Sequence, residues 1–171
     1  MRVGIGYDSH RFESGRPLVL GGVNIPNHPG LTGHSDGDAV AHAVIDALLG
    51  ASALGNIGHH FPDTEARWKG ADSMELLAQT VRLIEERNYQ VVNVDVVIVT
   101  ESPRVAPWVA EMAERLAALL RISGSCVSMK GKTNEGMGWI GRGEGLAVMA
   151  VVLLDQIGDI DTLHASIRTG G

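Results

Sequence analysis

The segment from Val91 to Thr100 constrains the fold more than any other part of the sequence, because it predicts one strand with two apolar faces. In a strand, successive side chains point to opposite sides. The two alternating sets are Val94, Val96 and Ile98 against Asp95, Val97 and Val99. A strand that is apolar on both sides is covered on both sides. Helices can cover one face, and the other face requires a second layer or another subunit, which indicates an oligomer.

Strands and helices alternate along the rest of the chain, which indicates one α/β or α+β domain. A helix is predicted from Asp38 to Leu49, where Asp38 can cap its start and Gly50 can end it. A second, amphipathic helix is predicted from Ser73 to Arg87. The 171 residues suit one compact domain, which we expect at residues 1–156, followed by a polar C-terminal tail at residues 157–171.

The composition argues against several classes of function. The formal net charge of −6 does not suit a nucleic-acid surface, which requires a basic patch. We expect no membrane span, because no stretch approaches the roughly 20 apolar residues that one requires. The first residues do not resemble a signal peptide, and Cys126 is the single cysteine, so no internal disulfide can form. These features predict a cytoplasmic protein.

Three residues in the first quarter of the chain form a candidate metal site. Asp8 and His10 lie two residues apart at the predicted end of the first strand, so their side chains share one side. His42 lies inside the first predicted helix, with Asp38 and Asp46 one turn to either side. Two imidazoles and one carboxylate leave the fourth coordination position of a zinc ion open, as in catalytic zinc sites. Either flanking aspartate can orient His42 or bind substrate. The alternative is that His42 is a core histidine and that no metal binds.

Two polar clusters are candidates for phosphate binding. His34 and Ser35 come shortly before the first predicted helix, whose free N–H groups and dipole attract anions. Lys132, Thr133 and Glu135 lie at the end of a predicted strand, and this set can hold a phosphate and a second metal ion such as Mg²⁺. The Gly-Lys-Thr sequence there is not a P-loop, because the first glycine of that motif is missing. A capped surface loop and a solvated hairpin end are the alternatives for the two clusters.

Four separated motifs occur together in the order Asp8-Ser9-His10, His34-Ser35-Asp36-Gly37-Asp38 with His42, Phe61-Pro62-Asp63-Thr64, and Gly141-Arg142-Gly143-Glu144-Gly145. Together they closely resemble the 2-C-methyl-D-erythritol 2,4-cyclodiphosphate synthases of the non-mevalonate isoprenoid pathway. The resemblance covers the chain from Met1 to about Leu154. Because several motifs match in register, the signal is highly specific.

The resemblance implies a fold, an assembly and a reaction. The fold is a single α/β (α+β) domain, with the β-sheet packed around a threefold axis and the helices outside, in a homotrimer with active sites between subunits. The enzyme is a metal-dependent, cyclising phosphorus–oxygen lyase. It converts 4-diphosphocytidyl-2-C-methyl-D-erythritol 2-phosphate, a small cytidyl-diphosphate substrate, to the 2,4-cyclodiphosphate with release of CMP. An isoprenoid diphosphate is a candidate further ligand at the trimer axis.

The resemblance also implies roles for individual residues. The ligands of Zn²⁺, or of another divalent transition metal, match Asp8, His10 and His42; the ligand of Mg²⁺ or Mn²⁺ at the diphosphate matches Glu135; and the transition-state stabilisers match His34 and Thr133. The substrate-binding positions match Asp8, His10, His34, Ser35, Asn56, Ile57, Gly58, Phe61, Pro62, Asp63, Thr64, Glu65, Thr100, Arg104, Val105, Ala106, Lys132, Thr133, Asn134, Glu135, Trp139 and Arg142. Of these, the positions within 100–106 and 132–135 match the side of the site that binds the cytidyl diphosphate.

Three positions depart from the family pattern. Asn56 stands where aspartate is usual, Arg104 where lysine is common, and Trp139 where phenylalanine is usual. Asn56 keeps a hydrogen-bond acceptor without the charge, and Arg104 keeps the charge on a planar fork. Two other functions would use the same residues. A zinc-dependent phosphohydrolase would release inorganic phosphate, and a trimeric binding protein would hold a phosphorylated or isoprenoid ligand without turnover.

Overall fold

The computed structural model describes residues 1–157, which form a single domain of mixed α/β architecture. Its strands are β1 (Arg2–Glu13), β2 (Leu18–Leu20), β3 (Val23–Ile25), β4 (Gly30–Leu31), β5 (Tyr89–Val99), β6 (Val127–Lys132) and β7 (Gly145–Gln156). Its α-helices are α1 (Ala39–Ser52), α2 (Ile57–His60), α3 (Ser73–Glu85), α4 (Val109–Leu120) and α5 (Gly138–Gly141). Short 3₁₀ turns lie at Ala66–Trp68, Ala106–Trp108 and Gly124–Cys126. The predicted tail lies outside the described residues, apart from Ile157.

Five of the strands form the main sheet, in the order β4-β1-β7-β5-β6. β1 and β5 each pair antiparallel with β7, and β6 joins β5 in parallel after a crossover that contains α4. β2 and β3 form a separate antiparallel hairpin. The predicted strand at Val91–Thr100 is confirmed as most of β5, which has a neighbour on each side.

Both long predicted helices are present, and α1 begins at its predicted cap. The side chain of Asp38 accepts backbone hydrogen bonds at the start of α1, and that of Asp72 does so at the start of α3. The predicted end of α1 at Gly50 is wrong, because the helix continues to Ser52. The turn that contains Gly50 packs in the core through the buried Ala51, and this packing outweighs the low helix propensity of glycine. No helix among residues 1–157 is both long and apolar enough to cross a membrane.

The close approach of α1 to β1 depends on two glycines. A Cβ atom at Gly4 would lie 1.9 Å from the carbonyl oxygen of Ala47, and one at Gly6 would lie 1.9 Å from that of Ala43. Any larger residue would therefore push the helix away from the strand. Because side chains alternate along a strand, the face of β1 that α1 covers is also the face that carries Asp8. The two glycines thus set how close the helix comes to the candidate metal site.

The opposite face of the sheet carries apolar side chains that are exposed in the single chain. Val3, Ile5 and Tyr7 of β1 are 68%, 70% and 56% exposed, and Met149 and Val151 of β7 are each 42% exposed. These five residues are called the open face. They are contiguous, since Ile5 pairs with Val151 and Tyr7 pairs with Met149 across the two strands. An exposed apolar patch of this kind is typical of an interaction surface, which agrees with the expected need for a cover from outside the chain.

Candidate active site

Three side chains from two elements converge on one point. Asp8 and His10 extend from the same face of β1, and His42 extends from the first turn of α1. Asp8 Oδ2 lies 2.8 Å from His10 Nε2 and 3.0 Å from His42 Nδ1, and the two ring nitrogens are 3.3 Å apart. The expectation that Asp8 and His10 end their strand is wrong, because pairing with β7 continues as far as Arg11. The two ligands therefore sit on a paired, rigid part of the sheet.

The donor set fits a divalent transition metal. One ligand atom from each of Asp8, His10 and His42 lies within 4.8 Å of the other two. A tetrahedral ion with bonds of about 2.0–2.1 Å holds its ligand atoms about 3.3–3.4 Å apart. The separations of 2.8, 3.0 and 3.3 Å need only a small expansion to reach that geometry. One carboxylate oxygen and two imidazole nitrogens are also the donor types found in catalytic zinc sites.

Charge interactions hold the three side chains together. Burial alone would raise the pKa of Asp8, but the hydrogen bonds and charges of His10 and His42 outweigh burial and hold that pKa well below its usual range. Burial alone would lower the pKa of His42, but the hydrogen bond and charge of Asp8 outweigh it, so that this pKa is raised. Asp8 is thus an anion at neutral pH, and His42 must be free of a proton on Nδ1 before that atom can bind a metal.

The second ring nitrogen of His42 contacts two serines. His42 Nε2 lies 2.9 Å from Ser73 Oγ and 3.1 Å from Ser35 Oγ. Ser73 is fully buried, and its hydroxyl donates to the carboxylate of Asp36. Sequence reasoning missed Ser73, which is 31 residues away from His42 along the chain. No periodicity or motif in the sequence indicates that Ser73, at the start of α3, contacts His42 on α1.

The two aspartates that flank His42 on α1 have other partners, so the expectation that one of them orients His42 is wrong. Asp38 is completely buried, and its carboxylate accepts backbone hydrogen bonds from the β2–β3 turn and from the start of α1. Burial raises the pKa of Asp38 to about 6, against the opposing effect of these hydrogen bonds. Asp46 accepts a hydrogen bond from the backbone N–H of Ile57 at 2.7 Å, which positions the start of α2.

A cavity of about 360 Å³ opens beside the three ligands and is called the metal cavity. Its lining includes these residues implied by the resemblance: Asp8, His10, His34, Ser35, His42, Ile57, Gly58, Phe61 and Asp63. Asp46, Trp68 and Leu76 complete the lining, and the last two were not predicted from the sequence. Trp68 packs edge-on against Phe61 with ring centroids 5.1 Å apart. An apolar wall therefore faces a charged group of ligands, as in many small-molecule sites.

A second cavity, of about 580 Å³, lies beside β6 and is called the cytidyl-side cavity. Its lining includes these predicted residues: Thr100, Arg104, Val105, Ala106, Lys132 and Thr133. Glu101 also lines it, and its carboxylate accepts hydrogen bonds from the backbone N–H groups of Asn134 at 2.9 Å and Gly136 at 3.1 Å. Glu101 thereby fixes the loop that follows β6, a role that the sequence did not indicate.

The two cavities are separate within one chain. They share no lining residue, and β7 and β5 lie between β1 and β6 in the sheet. Three strand spacings of about 4.8 Å put β1 and β6 about 14 Å apart. The predicted metal ligands and the predicted cytidyl side of the site therefore lie on strands that are separated by two other strands of the same sheet.

Several predicted substrate residues lie outside both cavities. Asn56 caps α2, and its side-chain oxygen accepts the backbone N–H of His59 at 3.0 Å. Glu135 is exposed and accepts a hydrogen bond from Thr133 Oγ1 at 2.7 Å. Trp139 lines a third cavity, of about 350 Å³, that also includes His10. The remaining predicted residues outside the two cavities are Pro62, Thr64, Glu65, Asn134 and Arg142.

Known proteins resemble this chain over nearly its whole length. The model of the YgbB family matches residues 1–155. The 2-C-methyl-D-erythritol 2,4-cyclodiphosphate synthase of Pelotomaculum thermopropionicum is 51% identical over 95% of this chain and 100% of its own. The protein of the same name from Laribacter hongkongensis is 54% identical over 91% of this chain and 96% of its own. A solved CDP-bound form of 2C-methyl-D-erythritol-2,4-cyclodiphosphate synthase has a TM-score of 0.83 and 41% identity, covering 90% of this chain and 100% of that one.

Proposed function

The chain belongs to the YgbB family, and we propose that it has the activity for which its relatives are named, the synthesis of 2-C-methyl-D-erythritol 2,4-cyclodiphosphate in isoprenoid biosynthesis. Identities of 51% and 54% to relatives of that name, over more than nine-tenths of the chain, support the activity of a lyase. The observation that carries the proposal is the convergence of Asp8, His10 and His42 beside a cavity lined by His34 and Ser35.

The proposed reaction is an intramolecular phosphoryl transfer. The 2-phosphate of 4-diphosphocytidyl-2-C-methyl-D-erythritol 2-phosphate attacks the β-phosphorus of the same molecule. A new P–O bond closes the cyclodiphosphate ring, the bond from that phosphorus to the bridging oxygen breaks, and CMP leaves with the electron pair. The attacking phosphate is already an anion near neutral pH, so the reaction needs no general base. The protein must instead hold two phosphates in line and balance their charge.

The residues of the metal cavity serve the reacting phosphates. Asp8, His10 and His42 would hold the metal ion, for which we expect Zn²⁺. When bound, this ion supplies Lewis-acid polarisation of phosphate oxygens. His34 is exposed at the cavity wall and donates a hydrogen bond to the phosphate that develops charge in the transition state. Phe61, on the apolar wall, packs against the carbon skeleton and excludes water.

The cytidyl-diphosphate end of the substrate occupies the cytidyl-side cavity. A CDP-bound form among the similar structures supports a ligand of this kind. Lys132 and Arg104 line the cavity and offer cations to the diphosphate, Arg104 with a planar fork that can bind two oxygens. The Thr133 hydroxyl, which donates to Glu135 in the free protein, would donate to the β-phosphate instead, and the carboxylate of Glu135 would hold Mg²⁺ or Mn²⁺. These assignments give each charged group on the substrate a partner of opposite charge.

A homotrimer brings the two cavities together. In a ring of identical chains, one edge of each chain meets a different edge of its neighbour. Such a ring can therefore place the metal cavity of one chain beside the cytidyl-side cavity of the next. The open face supplies the apolar surface that packs around the threefold axis, where an isoprenoid diphosphate remains a candidate ligand. A cytoplasmic location also stays a prediction.

Product analysis tests the proposal against its two alternatives. The purified protein is incubated with the substrate, Zn²⁺ and Mg²⁺, and the products are separated by ion-exchange chromatography. We expect CMP and cyclodiphosphate in equal amounts, with no inorganic phosphate. Inorganic phosphate would identify a phosphohydrolase instead, and bound substrate without turnover would identify a binding protein. Either of these results would contradict the proposed activity.

A further inference from the structure

The donor and acceptor roles in the chain of hydrogen bonds from Asp36 through Ser73 to His42 can be assigned in only one way. The carboxylate of Asp36 accepts from the Ser73 hydroxyl, from the Ser73 backbone N–H at 3.1 Å and from the Asp38 backbone N–H at 3.1 Å. A carboxylate has no hydrogen to donate, so the hydroxyl hydrogen of Ser73 must point to Asp36. Toward His42 Nε2, at 2.9 Å, the Ser73 oxygen can then act only as an acceptor.

A second serine gives weaker support to the same arrangement. Ser35 Oγ lies 3.1 Å from His42 Nε2, 3.1 Å from Ser73 Oγ, and accepts the backbone N–H of Gly37 at 3.3 Å. The hydroxyl hydrogen of Ser73 is already used, so a hydrogen bond between the two serines must be donated by Ser35. The oxygen of Ser35 can then serve as a second, more distant acceptor for the Nε2–H of His42.

We propose that Ser73 and Asp36 are positioning residues of the metal centre, which keep the ring proton of His42 on Nε2 and leave the Nδ1 lone pair for the metal. The inference rests on the metal site of the proposed function. A neutral imidazole has one N–H, and which nitrogen carries it depends on the acceptors around the ring. Asp8 Oδ2, 3.0 Å from Nδ1, attracts the proton to the wrong nitrogen when no metal is present. The acceptor at Nε2 opposes that attraction, as partners behind metal-binding histidines commonly do.

The Ser73 hydroxyl can be removed without removing the cap of α3. Asp72 caps this helix, and its side chain accepts the backbone N–H of Met74 at 2.8 Å. Ser73 is fully buried, so water does not readily replace the lost hydroxyl. A fold-preserving change at this position therefore leaves His42 without its nearer acceptor, while Asp8 remains as the acceptor at Nδ1.

Binding of Zn²⁺ alone to the full-length, metal-free protein tests the inference. Dissociation constants are measured by competition with a chromophoric chelator for the wild type, Ser73→Ala, Ser73→Thr and Ser52→Ala. We expect Ser73→Ala to bind Zn²⁺ about 10- to 100-fold more weakly, the usual effect of losing such a partner. Ser73→Thr keeps the hydroxyl and should recover most of the affinity. Ser52→Ala is the matched control, because Ser52 is also buried but donates to Leu48 within α1.

A spectroscopic signal separates positioning from a general packing effect. In zinc-loaded, nitrogen-15 labelled wild type, the His42 Nε2–H should give a resonance that exchanges slowly with water. In Ser73→Ala this resonance should shift and exchange faster, while the backbone spectrum away from the site stays unchanged. An unchanged Nε2–H resonance, or zinc affinities of Ser73→Ala and Ser52→Ala within twofold of each other, would overturn the inference. So would a folded Ser73→Thr protein that binds zinc as weakly as Ser73→Ala.

Asp36→Ala provides a second test that does not change Ser73. Without the carboxylate, the hydroxyl hydrogen of Ser73 is free to be donated to His42 Nε2, which favours the wrong tautomer. We expect weaker zinc binding by several-fold, and wild-type affinity in a folded Asp36→Ala protein would contradict the inference. The wild-type measurement separates a failure of the proposed metal site from a failure of the positioning role alone. A wild type that binds no zinc overturns the metal site and the inference together, whereas zinc binding and turnover by the wild type with unaffected variants overturns the inference alone.

Discussion

Asp8 and His42 of the metal site form hydrogen bonds with different groups of the surrounding protein. Asp8 uses Oδ2 toward both histidines, while its Oδ1 accepts the backbone N–H of Ser9 at 2.9 Å. His42 has Ser73 behind it. Asp8 and His42 are therefore each anchored by a group outside the metal site, whereas the hydrogen-bond partners of His10 are Asp8 and His42 themselves. Removing one ligand should consequently leave the other two in place and the fold intact.

Asp8→Ala should abolish metal binding without unfolding the protein. The variant loses the single negatively charged ligand. We expect its zinc affinity to fall by more than about 100-fold, because removing even a residue that only orients a ligand lowers metal affinity about 10- to 100-fold. Cyclisation should be lost with it. Zinc content by mass spectrometry and the circular dichroism spectrum check the two parts. His28→Ala, which removes a histidine outside the site, is the control, and full zinc occupancy in Asp8→Ala would rule out the assigned ligands.

Zinc affinity should depend on pH around neutrality. The pKa of His42 is raised above its ordinary value, and Nδ1 must be free of a proton to bind the metal. Protons therefore compete with zinc at higher pH than they would for an unperturbed histidine. As the pH falls through the raised pKa, affinity should drop by roughly tenfold per pH unit for each proton displaced. Chelator competition between about pH 5.5 and 8 measures this, and a flat profile would contradict it.

The sequence predicted the cluster of Asp8, His10 and His42, which could hold a metal ion, but not Ser73, whose hydroxyl lies next to His42. The period of two at Asp8 and His10 and the predicted helix around His42 made these three residues candidates, and the resemblance to the synthases implied that they act together. Ser73 and Asp36 become neighbours of each other and of His42 only when the start of α3 packs beside the start of α1. That packing is a tertiary contact with no local sequence pattern.

At the scale of elements, the position of α1 on β1 links the fold to the site. Gly6 lets the helix approach the strand, and His42 precedes Ala43, whose carbonyl oxygen lies over that glycine. Asp8 is the next residue on the same face of the strand. A displacement of α1 from β1 would therefore also separate His42 from Asp8.

Gly6→Ala should weaken both the fold and the metal site. The added Cβ would lie 1.9 Å from the carbonyl oxygen of Ala43, so backbone must move. We expect a loss of about 1–3 kcal/mol in the free energy of unfolding, as for other overpacked sites, together with weaker zinc binding. Urea denaturation measures the first effect. Gly124→Ala is the control, because nothing lies within 4 Å of a Cβ built there. Equal stabilities of the two variants would contradict the packing described for α1.

Elements with strong local signals were predicted, and those set by tertiary pairing were not. β5, α1 and α3 carry alternating or capped patterns and appear close to their expected bounds. β1 extends past Asp8 because it pairs with β7, although its polar residues there resemble the start of a loop. Two of these polar residues, Asp8 and His10, belong to the candidate metal site, so the strand departs from an apolar pattern at the site.

At the scale of the whole molecule, the separation of the two cavities predicts that neighbouring chains share each active site. Asp8→Ala damages the metal cavity, and Lys132→Ala damages the cytidyl-side cavity. Each variant alone should be inactive. A trimer that contains both variants has one interface at which the intact metal cavity of a Lys132→Ala chain meets the intact cytidyl-side cavity of an Asp8→Ala chain.

Subunit mixing measures this sharing directly. When equal amounts of the Asp8→Ala and Lys132→Ala chains are unfolded together and refolded, about a quarter of the wild-type rate should return, because each mixed trimer has one intact site in three. Sedimentation analysis verifies that the mixture has the mass of a trimer. The separately refolded variants are the controls. A mixture as inactive as its parts, with trimers formed, would place the whole site within one chain.

Phosphorus NMR of the protein with 4-diphosphocytidyl-2-C-methyl-D-erythritol 2-phosphate and Mg²⁺, before and after zinc chelation, measures metal-dependent cyclisation itself. A metal-dependent cyclodiphosphate synthase should give the resonances of the cyclodiphosphate and CMP, lose them on chelation, and regain them when Zn²⁺ is restored. Unchanged substrate with folded, zinc-loaded protein, or inorganic phosphate as the product, would contradict the claim.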